Sequence, residues 1–107
     1  MRKVKHKFTL KSGLVISEGT SVAKIEWGKG NSRLLTDVYL VSDKSTPIRM
    51  HARSVVALIS GFKRPSLKQL EKMSADAIAT TPTGKRIEVD GFGPDGSPSW
   101  FLVLGYV

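Results

Sequence analysis

The chain contains no cysteine among its 107 residues. That absence excludes a disulfide framework and any thiolate metal site, and it is the habit of proteins kept in a reducing compartment. Long apolar runs are missing too. Nothing approaches the roughly 18 consecutive apolar residues that a spanning helix needs. The first residues are basic, as in a signal peptide, but Lys7, Lys11 and Gly13 interrupt the apolar stretch that follows and no small-residue cleavage pattern comes after it. The chain therefore reads as a cytoplasmic protein with no membrane partner.

Histidines number only two, His6 and His51. No HxH, HExxH or carboxylate–histidine spacing is present, so no metal site is expected. Serines are plentiful but none stands in GxSxG or SxxK. The stretch WGKGNSR lacks the P-loop spacing, and DGFGPDG does not match an EF-hand loop. The expectation is a protein that is not an enzyme and carries no cofactor. Aromatics are also sparse, at 7% of the chain. Readers of single-stranded nucleic acid stack bases on aromatic side chains within a basic face. Here only Trp27 or Tyr39 stands where it would serve that purpose.

Acidic residues are scarce as well: nine against 17 lysines and arginines, a net charge of +8. The excess is uneven. Residues 1–65 hold 13 basic and 4 acidic side chains, a balance of +9; residues 66–107 hold 4 and 5. A localised positive field attracts nucleic acid, acidic protein surfaces or anionic lipid. The alternative is charge that serves solubility alone.

The chain length fits one domain, residues 1–107. Residues 3–11 alternate strictly, with Val4, His6, Phe8 and Leu10 on one face and Lys3, Lys5 and Lys7 on the other, which predicts a half-buried strand. Residues 14–16 return as a hairpin partner. Further strands are expected at 22–27, 33–41 and 48–53, with 42–47 as a polar break. Residues 55–59 suit a strand or a short helical turn. One helix is expected at 65–79, with Ser66 as N-cap and Gln69 completing a capping box. Strands at 86–90 and 100–107 would pair across a long loop. The class is α+β: an N-terminal antiparallel β-meander or small barrel over 1–62, one short helix, and a C-terminal hairpin over 84–107 that completes the core.

Residues 82–107 carry Gly84, Glu88, Asp90-Gly91, Gly96, Pro98-Ser99-Trp100, Leu102, Leu104 and Gly105. In this pattern the segment resembles the C-terminal hairpin of small bacterial proteins of uncharacterised function, in which two Cys and two His would suit a zinc site. Lys85, Gly93, Asp95 and Ser97 stand at those four positions here, so the resemblance implies no metal. It implies a hairpin shape held by turn residues, with Trp100 as a plug, and no activity.

Candidate binding residues follow from the charge. Lys3, Lys5 and Lys7 form one row; Arg49, His51 and Arg53 form another. In a regular strand alternate residues stand roughly 7 Å apart, close to the phosphate spacing of a nucleic-acid strand. The loop from Trp27 to Arg33 adds Lys29, flexible glycines and an aromatic. The first functional expectation is a binding protein that engages a polyanion, nucleic acid foremost, through Lys3, Lys5, Lys7, Trp27, Lys29, Arg33, Arg49 and Arg53. The second is a phage- or plasmid-type accessory or inhibitor protein docking on a host protein, with Phe92 as an exposed anchor. The third is a homo-oligomeric structural subunit. Lysines on an edge strand also guard against aggregation without binding anything.

Overall fold

The computed structural model describes residues 2–28 and 33–106. Its elements in chain order are β1 (Phe8–Thr9), β2 (Val15–Ile16), β3 (Val22–Glu26), β4 (Leu35–Leu40), β5 (Asp43–His51), α1 (Ala52–Leu58), α2 (Leu67–Asp76), β6 (Ile78–Thr80), β7 (Arg86–Glu88) and α3 (Trp100–Leu104). The class is α+β, with an antiparallel β3-β4-β5 meander and a β6-β7 hairpin toward the C-terminus. No barrel closes: β1-β2, the meander and β6-β7 are separate sheets. No helix among the described residues is long and apolar enough to cross a membrane.

The β1-β2 hairpin pairs Phe8 with Ile16 and Thr9 with Val15. The long strand expected over 3–11 is broken by a bend at Lys5–His6. Before the bend, Val4 is buried and bridges Ile59, while Lys3 bridges Ser21. Val22 N–H donates to the Arg2 carbonyl at 2.9 Å, and Lys5 N–H donates to Leu58. The N-terminal segment thus stitches the start of β3 to the end of α1. After the bend, the chain is free to form its own small sheet.

β5 continues through the polar stretch expected to break it. The ladder itself does slip there, from Val38↔Ile48 to Leu40↔Asp43, so residues 44–47 bulge out while the backbone stays extended. Pro47 is tolerated because β5 is an edge strand and Pro has no N–H to donate. Apolar periodicity then changes from two to helical. Ala52, Val55 and Ile59 are all fully buried and recur three and four residues apart, so the run after His51 winds as α1 instead of continuing as strand.

α2 begins as its capping box requires, with Ser66 Oγ accepting from Gln69 N–H and Gln69 Oε1 accepting from Ser66 N–H. It ends earlier than expected. Ala77 takes a left-handed conformation (φ 55°) and throws the chain straight into β6. β7 therefore pairs with β6, as Ile78↔Glu88, Ala79↔Ile87 and Thr80↔Arg86, and not with the tail.

The tail is helical, contrary to the strand expected at 100–107. Ser99 caps α3, Gly105 closes it at φ 79°, and Trp100, Phe101 and Val103 are buried. A five-residue helix so capped meets the core on one and a half turns. The described residues thus hold two short helices beside the expected one. The core gathers Val4, Ile16, Val22, Trp27, Val38, Leu40, Val55, Ile59, Trp100, Phe101 and Val103, with Leu70 of α2 and Ala79 of β6.

Candidate nucleic-acid interface

Lys3, Lys5 and Lys7 are exposed, and none has an ion-pair partner among the described residues. The bend between Lys5 and Phe8 means that the three do not stand on one regular strand. His6, expected on the apolar face, is exposed by the same bend.

The second row divides between two elements. Arg49 lies on β5 opposite Asp37 of β4, and its Nε donates to Asp37 Oδ1 at 3.0 Å. Asp37 is only 4% exposed. The hydrogen bond to this carboxylate, and then its charge, hold the Arg49 guanidinium above its ordinary value. His51 is the N-cap of α1, its Nδ1 accepting from Arg53 N–H at 3.0 Å. Burial, and then the Arg53 charge, hold the His51 imidazole below its ordinary value. Neutral imidazole is the form that accepts, so cap and titration agree. Arg53 belongs to α1, and its Nε donates to the Val103 carbonyl near the end of α3 at 3.3 Å, where a cation suits the unpaired helix carbonyls. Arg49 and Arg53 both hold protein groups.

The two rows do not merge into one stripe. The N-terminal segment lies beside β3, while β5 lies beyond β4, so the order is segment-β3-β4-β5. Three strand spacings of about 4.8 Å separate them.

A different set of side chains gathers along the outer side of β3. Trp27 is 8% exposed and packs edge-to-face on Phe62, with ring centroids 5.7 Å apart. The Arg2 guanidinium lies over the Phe62 ring, 4.1 Å from its centroid. A cleft of about 500 Å³ runs here, lined by Arg2, Ala23, Lys24, Ile25, Trp27 and Phe62, with Thr83 and Asp95 at its far wall. Lys24 Nζ is 2.8 Å from Glu26 Oε1 and 4.7 Å from the Tyr39 ring. Arg2, Lys24 and Phe62 are residues that sequence reasoning passed over. Phe62, standing directly before Lys63-Arg64, was the one legible signal, as an aromatic beside a basic pair.

Lys29 lies outside the described residues. Arg33 stands 4.9 Å over the Phe92 ring, so the chain just before β4 meets the Gly/Pro-rich loop of residues 91–98. Phe92 is half-buried with the Arg33 guanidinium over its ring, and its backbone bridges Pro98, so it is less exposed than expected. The backbones touch as well. A Cβ on Gly96 would come within 3.0 Å of the Trp27 carbonyl oxygen, and Gly96 has φ +87°.

Within that loop, Ser97 Oγ donates to Asp95 Oδ1 at 2.6 Å and Thr83 Oγ1 to Asp95 Oδ2 at 2.7 Å, with Thr81 3.0 Å from Thr83. Burial pushes the Asp95 carboxyl up, but the bonds from Ser97 and Thr83 outweigh it and leave the group below its ordinary value. Lys85, Gly93, Asp95 and Ser97 stand together: a Cβ on Gly93 would meet Asp95 Oδ1 at 2.9 Å and Lys85 Cβ at 3.3 Å. A carboxylate–hydroxyl network therefore supports this loop. No protein-family model, curated protein or solved structure matches the chain.

Proposed function

We propose that the protein is a non-enzymatic binder of nucleic acid that grips the phosphate backbone along the outer side of β3. Arg2, Lys3, Lys5 and Lys7 make the contacts in this reading. One observation carries it: the side chains of Lys3, Lys5 and Lys7 are exposed and have no ion-pair partner among the described residues, whereas Arg49 and Arg53 are held by Asp37 and Val103. The segment runs beside a strand edge that no further strand covers beyond Val22 among the described residues. Arg2 lines the cleft as well, where Lys24 is paired with Glu26.

The aromatics fit a backbone binder better than a base reader. Trp27 and Phe62 pack on each other, and Arg2 lies over Phe62, so little ring face is left for stacking. Binding by phosphate contact is strongly salt-dependent and weak in sequence preference.

The test is fluorescence anisotropy of labelled single- and double-stranded DNA and RNA at two salt concentrations. Neutralising about four phosphates weakens binding roughly a hundredfold between about 50 and 200 mM salt. Lys3→Glu with Lys5→Glu is expected to abolish binding, and Arg49→Gln to leave the salt slope unchanged. No binding at the lower salt would defeat the proposal, and the lysines would then be guards of the β3 edge.

A further inference from the structure

The cleft beside β3 ends in a wall of hydrogen-bond acceptors, Asp95 and Thr83. The protons in that wall are already placed. Asp95 Oδ1 accepts twice from Ser97, from Oγ at 2.6 Å and from N–H at 3.2 Å. Oδ2 accepts once, from Thr83 Oγ1 at 2.7 Å, and keeps a free lone pair. Thr83 has given its only proton to that bond, so toward any further group its Oγ1 accepts. Burial raises the Asp95 carboxyl, but the bonds from Ser97 and Thr83 outweigh it, so the group is an anion at neutral pH. No lysine or arginine among the described residues pairs with it. Two acceptors, Asp95 Oδ2 and Thr83 Oγ1, thus stand side by side on the cleft wall. An occupant must bring adjacent donors.

Those donors are not on a cation. Arg2 lines the same cleft, its guanidinium over Phe62 and its Nη1 donating to the Ser60 carbonyl at 3.2 Å, with no acid beside it among the described residues. A second positive group would meet that charge. A neutral planar ring with neighbouring N–H groups would not. Among the bases guanine alone has them: N1–H and the N2 amino group adjoin on its Watson–Crick edge, whereas the other bases set an acceptor next to each donor. The ring faces of Trp27 and Phe62 are largely covered, but a guanidinium plane is itself a surface on which bases stack. The cleft, at about 500 Å³, lies in the size range of sites that bury a small ligand. It is also continuous with the phosphate-gripping segment, since Arg2 directly precedes Lys3.

We infer that the cleft takes one unpaired guanine base, its N1–H and N2 amino group donating to Asp95 and Thr83 and its ring on the Arg2 guanidinium, while Lys3, Lys5 and Lys7 hold the neighbouring phosphates. The inference rests on the proposed phosphate grip and narrows its substrate to single-stranded nucleic acid, because base pairing occupies the same edge of guanine.

The probes are fluorescein-labelled DNA single strands of about ten nucleotides, within the site size of single-strand binders. One is all thymidine, one carries a single central deoxyguanosine, and one has deoxyinosine there, which lacks the N2 amino group. Each is titrated at about 50 and 200 mM salt. The guanine strand is expected to bind about tenfold more tightly than the thymidine strand, and deoxyinosine to lose most of that gain. Asp95→Asn is expected to erase the preference and leave the salt slope unchanged. Ala23→Leu, at an exposed position that lines the cleft outside the Asp95 network, is expected to do the same without loss of fold. Equal affinity for the guanine and thymidine strands, with the salt slope present, overturns the inference and leaves the phosphate grip standing. Deoxyinosine binding as tightly as guanine overturns it as well, and so does a preference that survives both substitutions, since the base is then read elsewhere. No binding of any strand at the lower salt removes the phosphate grip itself, and this inference with it.

Discussion

Ser99 offers a quantitative test of how the tail is held. It is fully buried, and it ties three pieces together. Its Oγ accepts from Leu102 N–H at 3.2 Å and donates to the Val89 carbonyl, while its own N–H donates to Gly91 at 3.0 Å. Ser66 does the same capping chemistry for α2 but in the open, paired only with Gln69. Ser66→Ala removes an N-cap that water partly replaces, at about 1 kcal/mol. Ser99→Ala removes a cap and in addition strips the Val89 carbonyl of its donor, which adds about 1 kcal/mol. Unfolding entropy near 2.1 cal/mol/K per residue gives roughly 0.22 kcal/mol/K for a chain of this length. The expected fall in Tm is then about 9 °C for Ser99→Ala and about 4 °C for Ser66→Ala. Thermal melts followed by circular dichroism, and urea unfolding followed by the fluorescence of Trp27 and Trp100, measure both. Ser99→Ala falling no further than Ser66→Ala would refute the claim that α3 is core.

Gly96→Ala adds a Cβ 3.0 Å from the Trp27 carbonyl oxygen at positive φ and is expected to cost about 2–3 kcal/mol, while Gly84→Ala, at similar φ but in open space, costs about 1, both read by urea unfolding. Ala77→Gly relieves the left-handed strain at the end of α2 and raises stability by about 0.5–1 kcal/mol in the same assay. Asp95 has a folded value below its ordinary 3.8, so its contribution is fully present above that pH and is lost as pH falls through the lowered value. Asp95→Asn is therefore expected to lower Tm at neutral pH and to flatten its decline below about pH 4.

The α+β class, the meander, the first hairpin and the start of α2 were legible because each is written locally, in alternation, turn residues or a capping box. α1 and α3 were not, because short apolar runs suit strand and helix alike. Two signals pointed the right way. Ala52, Val55 and Ile59 have helical spacing, and Ser99 with Gly105 brackets the tail as a helix is bracketed. The partner of β7 was beyond local reading, since it depends on Ala77 reversing the chain after α2, where no glycine announces the turn. At the candidate site, the count of cations and their bias to residues 1–65 were plain. Which of them were already engaged was decided by cross-strand register, Asp37 facing Arg49, and by a helix end that brings Val103 to Arg53.

Charges that look equivalent in a sequence therefore separate into two kinds, and one pair of substitutions distinguishes them. Arg53→Gln keeps a polar side chain but removes the cation beside the last carbonyls of α3. Lys5→Gln removes a cation that touches no acidic group among the described residues. Under the proposed function, Arg53→Gln lowers Tm and leaves the salt slope of nucleic-acid binding unchanged. Lys5→Gln leaves stability within about 0.5 kcal/mol and reduces the slope by about one released counterion. Both proteins carry the same net charge, so a diffuse positive field would treat them alike. Equal loss of slope in the two variants would mean that the field, and not a contact surface on the N-terminal segment, attracts the polyanion.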